Sequence, residues 1–281
     1  MEPLKVALVQ TRTPATPEAA LAHIRPLANE AIAGGAQLIL TPEATNLMER
    51  RPEKKAGLIA ETETDVVVRG LQAVAAERGV WILIGSAMVR SGDPEDDRAA
   101  NRSILINDQG SVESTYDKLH VFDVDLPTGE RHRESAGVRP GDRAVVARTP
   151  WGGLGLSVCY DLRFPHLFRA LARAGADMIA VPAAFTRPTG EAHWETLLRA
   201  RAIETGCFVL APAQGGSHED GRATWGHSMV VDPWGRVIAA LDHDEPGVLF
   251  ADLDLDAVGR ARAAIPQLAH DRDFTGPEPI R

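Results

Sequence analysis

Two cysteines occur in the 281-residue chain, and they stand in different surroundings. Cys159 follows the apolar run Gly155-Leu-Ser-Val158 and precedes Tyr160-Asp-Leu-Arg-Phe-Pro165, a pattern that predicts a sharp turn from a strand into a helix. A side chain at such a turn is thrown clear of the sheet, and the N–H groups that follow point to the same spot. One turn can therefore supply a nucleophile and half of an oxyanion hole. The commoner fate of a cysteine is burial as a small, inert apolar residue. Cys207, at the entry to the apolar run Cys207-Phe-Val-Leu210 with no acid or base beside it, fits that description and is given no role.

A thiol needs a base, and an amide carbonyl under attack needs positive charge near its oxygen. Glu43 closes the run Leu38-Ile-Leu-Thr-Pro-Glu43, which places it at the carboxyl edge of a sheet, where α/β proteins commonly bind ligands. Partial burial there is expected to raise its pKa, as suits a general base. Lys118 lies in Tyr116-Asp-Lys-Leu-His-Val-Phe-Asp123, bracketed by apolar and aromatic positions; held inward, it would stabilise an oxyanion without losing its proton. Taken singly, each has a plainer reading: a solvated loop glutamate and a surface lysine.

The elements that must position these residues follow from the periodicity. Strand-like runs at 4–10, 37–41, 80–89, 102–107, 112–116, 144–148, 154–158, 178–183, 208–213, 228–231, 237–241 and 248–253 alternate with helical spacing at 17–34, 65–78, 164–174, 193–204 and 256–265. No linker or change of composition interrupts them, which favours one α/β domain over residues 1–269 followed by a polar C-terminal tail, 270–281, expected to be disordered or packed on a partner subunit. Composition is ordinary for a globular protein, 44% hydrophobic and 25% charged. The net charge of −9 argues against nucleic acid or an anionic membrane as partner. No apolar run approaches the roughly 18–20 residues of a membrane helix, and no leader pattern opens the chain, so a cytoplasmic location is expected, where a free thiol survives. No His/Cys cluster has metal-site spacing, and neither a metal nor another cofactor is expected.

The order Glu43, Lys118, Cys159, with the words TPEAT (41–45), YDKLHVFDVDLP (116–127), RES (133–135), GLSVCYDLRFP (155–165) and GHSMVVDPWG (226–235), resembles the nitrilase superfamily of carbon–nitrogen hydrolases. The likeness runs from Lys5 to about Ile265. PTGEAHWETLLRARAIETGC (188–207) and AQGGSH (213–218) are most similar to its deaminated glutathione amidase branch, with the ω-amidases that act on α-ketoglutaramate as the near alternative. A catalytically silent binding module of the same fold and a redox thiol protein are the rival classes; the intact Glu, Lys and Cys speak against the first and the want of a resolving cysteine against the second.

The resemblance implies a four-layer α-β-β-α sandwich that pairs into a homodimer or higher homo-oligomer. It implies Cys159 as nucleophile, Glu43 as general base and acid, and Lys118 with the N–H of Tyr160 as oxyanion donors. It also implies that Glu134, 16 residues after Lys118, holds the lysine and orients the amide; the plain alternative is a surface partner for Arg131 or Arg133. The substrate is expected to be a small, anionic amide, with Tyr160, Arg163, Phe185 and Arg187 as binding residues. Asp161 with Arg163 suits a structural ion pair, His193, Trp194, Glu195, Arg199, Arg201 and Glu204 suit packing and buried pairs, and His227 suits a structural histidine.

Overall fold

A computed structural model describes residues 2–126 and 129–276. Its helices start and stop where side chains satisfy the free backbone groups. Thr16 caps Pro17–Ala33 by accepting from the Ala19 N–H. Asp65 caps Val66–Arg78 through the N–H groups of Val67 and Val68, and Gly79 ends it in the left-handed conformation. The helical spacing at 193–204 understates its helix, which begins at Arg187 and runs to Thr205. Pro188 sits in the first turn, where its missing N–H has no intrahelical partner to lose.

Two large sheets form. In the first, the strands run in the order Gly247–Leu253, Leu4–Gln10, Leu38–Leu40, Trp81–Arg90, Ala99–Ile106, Val112–Asp117, with Val138–Arg139 also pairing on Ala99–Ile106. In the second the order is Val237–Ala240, Met229–Val231, Phe208–Ala211, Ala176–Ala180, Gly152–Leu156, Val146–Thr149. Interleaved strands and helices are equally compatible with a single doubly wound sheet; side-chain alternation decides between them. Leu4, Val6, Leu8, Leu38, Leu40, Leu83 and Leu105 share one core with the second sheet. Ala7, Val9, Ile39, Ile82, Ile84, Ile104 and Ile106 share another with helices Pro17–Ala33 and Val66–Arg78. The first sheet is thus buried on both faces, between helices and the other sheet. Helices Pro165–Arg173 and Arg187–Thr205 cover the far side of the second sheet through Leu167, Phe168, Leu171, Trp194, Leu198 and Ala202. The result is a four-layer α-β-β-α sandwich, in which each fully buried Leu or Ile stabilises by roughly 1.5–3 kcal/mol.

The apolar runs at 154–158 and 178–183 outlast their strands, which end at Leu156 and Ala180. The extra residues, among them Val158 and Val181, are fully buried beyond the ladder, and they carry the chain into the functional edge. At the other end of the chain, Asp271 pairs with Arg169 and Arg173 of the same chain, so the first tail residues dock on helix Pro165–Arg173; residues 277–281 of the expected tail lie outside the described residues. Among the described residues no helix is long and apolar enough to cross a membrane.

Candidate active site

Strand direction brings the chemistry to one edge. Leu38–Leu40 runs parallel to Trp81–Arg90, Ala99–Ile106 runs against both, and Val112–Asp117 reverses again. Glu43 and Lys118 therefore leave the carboxyl ends of two strands, while Asn101 stands near the amino end of Ala99–Ile106, one of the two strands between them. Cys159 arrives from the second sheet, past the end of Gly152–Leu156, in the 3-10 turn Cys159–Arg163.

The turn at Cys159 is strained. Its φ of 51° is left-handed for a residue with a Cβ, a conformation that typically costs 1–3 kcal/mol and persists only where the surroundings enforce it. The Cys159 N–H donates to the Pro182 carbonyl at 2.9 Å. Asp161, fully buried, accepts from the Val158 N–H at 2.8 Å, the Tyr116 hydroxyl at 2.7 Å and the His120 N–H at 3.0 Å, with the His120 ring nitrogen Nδ1 at 2.7 Å. The expected ion pair of Asp161 with Arg163 is replaced by this set, because the carboxylate folds back under the turn.

At the centre lies a buried network of charge. Lys118 Nζ is 2.9 Å from Glu43 Oε1 and 3.1 and 2.8 Å from the two oxygens of Glu134. Lys118 is 1% exposed and Glu43 6%, so these pairs act with little solvent between them. Glu43 Oε1 also accepts from Asn101 Nδ2 at 2.9 Å, and Oε2 from the Ala184 N–H at 2.9 Å. The buried Cys159 thiol lies beside the same carboxylate, near enough for each group to shift the other's pKa.

Burial alone would push the Glu43 carboxyl up; the Lys118 charge and the hydrogen bonds from Cys159, Lys118 and Asn101 outweigh it and hold it below its ordinary value. The expectation of a raised Glu43 pKa is thus reversed, since the sequence does not show how many donors converge on it. Burial, then the Glu43 charge, pushes the Cys159 thiol well up against the pull of Lys118. Burial disfavours the Lys118 ammonium, but Glu134 and Glu43 hold it well above its ordinary value. The resting centre is a thiol, a carboxylate and an ammonium.

Glu134 is drawn to Lys118 rather than to its neighbours: Arg131 and Arg133 both pair with Asp125, and Glu134 Oε2 takes the Phe122 N–H at 2.6 Å. The Tyr160 ring packs edge-on to Phe122 and Phe164, with centroids 5.0 and 5.3 Å away. The Arg163 guanidinium lies 5.4 Å from the centre of the Phe185 ring and 6.0 Å from that of Tyr160, against His193. Arg187 is turned to an ion pair with Asp244, away from the carboxylate–ammonium network. His227 stacks on Trp225 at 4.1 Å and its carbonyl accepts from the Trp194 indole, a structural use. Arg201 bonds the Leu162 carbonyl and Glu204, and Arg199 bonds Glu195. Cys207 is fully buried beside Arg262. Among the described residues no three His, Cys, Asp or Glu side chains are grouped to hold a metal ion.

The family model for carbon–nitrogen hydrolases matches residues 5–263. The chain belongs to the carbon–nitrogen hydrolase family. Similar proteins include the deaminated glutathione amidase of Yersinia enterocolitica, 44% identical over 85% of this chain and 82% of that one. The enzyme of that name from Homo sapiens is 42% identical over 88% and 75%. Among solved structures, the C. elegans NitFhit protein aligns with a TM-score of 0.89 at 34% identity, over 97% of this chain and 66% of that one. A mutant amidase from Nesterenkonia sp. AN1, carrying the acetamide moiety of fluoroacetamide at its active site cysteine, aligns with a TM-score of 0.77 at 29% identity, over 95% and 97%.

In this carbon–nitrogen hydrolase the sequence reading missed Asn101, whose Nδ2 also reaches Glu134 Oε1 at 3.1 Å, and Gln214, whose Nε2 bonds the Glu43 carbonyl at 2.9 Å. A signal for Asn101 was present: it shares strand parity with Leu105, so a polar side chain falls on the face turned between the sheets. Gln214 gave none, because it meets Glu43 only through the contact of two sheets.

Proposed function

We propose that the protein is a cysteine amidohydrolase that cleaves deaminated glutathione to α-ketoglutarate and cysteinylglycine, a metabolite-repair reaction. The observation that carries the chemistry is the placement of the buried Cys159 thiol beside a Glu43 carboxylate that is itself held by Lys118, Asn101 and the Ala184 N–H. The names of the relatives at 42–44% identity support the substrate.

With a thiol at rest, attack is coupled to proton transfer: as sulfur closes on the amide carbon, its proton moves to Glu43. The tetrahedral oxygen takes the Tyr160 N–H and one N–H of Lys118. Two of the three Lys118 contacts go to Glu134, so one can turn to the oxyanion while Glu134 keeps the other. Glu43 then gives its proton to the departing amine, leaving a thioester. As a carboxylate again it draws a proton from water, which attacks the thioester; as the C–S bond breaks and the acid leaves, Glu43 returns that proton to the Cys159 sulfur and restores the thiol. The catalytic set is Cys159, Glu43, Lys118 and Glu134, with Tyr160, Arg163 and Phe185 bordering the substrate and Arg187 at its periphery. One domain, 1–269, holds the whole set, with 270–281 as a tail.

The apolar side chains of Ile203 and Trp234 are both exposed, and Ile203 packs over Gly235, the next residue after Trp234. A second copy covering them gives the homodimer, and sedimentation of Ile203→Glu as a monomer would bear this out. The cytoplasm, reducing enough to keep Cys159 free, is the proposed location. The test of function is amine release from deaminated glutathione compared with α-ketoglutaramate. Loss of turnover in Cys159→Ala and higher kcat/KM on deaminated glutathione are the expected results. Full activity in Cys159→Ala refutes the mechanism, and preference for α-ketoglutaramate refutes the substrate.

A further inference from the structure

The central network carries two carboxylates for one ammonium. Glu134 accepts from Lys118, Asn101 and the Phe122 N–H, a pattern of acceptance only, as expected of the ionised form. A net negative centre repels an anionic amide unless a further cation stands at its mouth. The two arginines that the sequence offers are compromised: Arg187 is paired with Asp244, and Arg163 is set against His193 and two aromatic rings.

Lys55 is different. It ends the short helix Pro52–Lys55, is half-buried, and has no carboxylate within ion-pair distance among the described residues. Four residues on, Ile59 packs into the same apolar cluster as Ala44, Val121 and Ala184. Those are the neighbours of Glu43 and Phe122 and the residue whose N–H holds Glu43. The segment is thus seated on the wall of the site, and Lys55 feels the charges of Glu43, Glu134 and Lys118 as well as that of Arg222. Arg222 is tied to the buried Asp220 at 2.7 Å, whereas Lys55 has no such partner among the described residues.

We infer that Lys55 is the anchor for a carboxylate of the substrate, setting this site's preference for anionic over neutral amides. The inference rests on the amide-hydrolase reading of the site and assigns its substrate class to a residue. Burial, with the neighbouring Arg222 charge, brings the Lys55 ammonium down to about 8. An unpaired, partly desolvated ammonium gains more from an arriving carboxylate than a solvated one does.

Calorimetric titration of the full chain with α-ketoglutarate, which carries carboxylates and no scissile bond, tests the anchor without requiring turnover. Lys55→Met is expected to weaken binding about tenfold or more, as loss of a hydrogen bond to a charged group does, with Lys55→Arg recovering most of it. In parallel, the ratio of kcat/KM for deaminated glutathione to that for butyramide should fall by a similar factor in Lys55→Met. Unchanged α-ketoglutarate affinity, no measurable binding by the unaltered protein, or equal loss on both amides overturns the inference. Thermal melting identifies a variant that fails to fold; Lys55→Gln then replaces it. Failure of the substrate reading looks different: the unaltered protein cleaves butyramide but not deaminated glutathione, while the α-ketoglutarate titrations still decide the role of Lys55.

Discussion

Asn101 donates to Glu43 Oε1 at 2.9 Å, the same oxygen that Lys118 holds, while Oε2 accepts from the Ala184 N–H at 2.9 Å. One oxygen is fixed by the ammonium and a side-chain amide, the other by a backbone donor that follows strand Ala176–Ala180. Removing Asn101 takes a donor from the ionised carboxylate and raises its pKa toward the ordinary value. The acid limb of kcat/KM, which falls as Glu43 gains a proton, should move to higher pH in Asn101→Ala. A pH profile whose acid limb does not move would show that the amide serves only packing.

Glu43→Gln keeps the shape of the side chain but accepts no proton. General base catalysis is worth roughly 10²–10⁴, so steady-state kcat should fall by a factor in that range. Retention of more than a tenth of the activity would point to another base.

Lys118→Met leaves Glu43 and Glu134 facing each other in a buried site. Removing one partner of a buried pair typically costs 3–5 kcal/mol, and denaturant unfolding should register a loss on that order. Protonation of one carboxyl would offset part of it, so the loss should shrink as the pH is lowered.

Gly85, on strand Trp81–Arg90, lies against the backbone of Thr41 and Pro42 and against Pro182 beside the site. A Cβ there would lie 2.0 Å from the Thr41 carbonyl oxygen and 2.4 Å from Pro182 Cβ. Thr41 leads to Glu43, and the Pro182 carbonyl holds the Cys159 N–H. Gly85→Ala should therefore push Glu43 and Cys159 apart, lowering kcat by more than tenfold, since an error of about 1 Å can cost 10². Kinetics at wild-type levels, in a variant with an unchanged melting temperature, would contradict the placement.

His218 is buried against Thr224, with Nε2 2.7 Å from the hydroxyl. Burial, assisted by Arg222, lowers its pKa from 6.5 to about 4. The unfolded chain takes up a proton below pH 6.5 that the folded one refuses until about pH 4, so stability is lost as the pH falls through that window. The share from this residue is on the order of 3 kcal/mol at most. Denaturant midpoints at pH 7 and pH 4.5 should draw closer together in His218→Gln.

Much of the fold was legible because strands and helices write their periods into the chain: Leu4, Val6 and Leu8 alternate with Ala7 and Val9 whatever lies on either side. Glycine, proline and capping residues mark the ends, with Asp65 and Gly79 bounding one helix as read. Short elements were missed where few residues carry the signal, such as the helix Pro52–Lys55 and the hairpins Asp123–Asp125 with Arg131–Arg133 and Gly215–Ser217 with Ala223–Trp225.

The sequence by itself determined which residue types the site possesses and, through their order and surrounding words, the family. It determined which strand-like runs Glu43, Lys118 and Cys159 follow. Only the tertiary structure decided the protonation state of these groups, because the pKa of Glu43 depends on donors from four separated stretches of chain. It also decided that alternate faces of one strand serve two different cores, and that Asp161 supports the turn from below. Spacing along a chain does not encode distance across two sheets, and electrostatic energy depends on that distance.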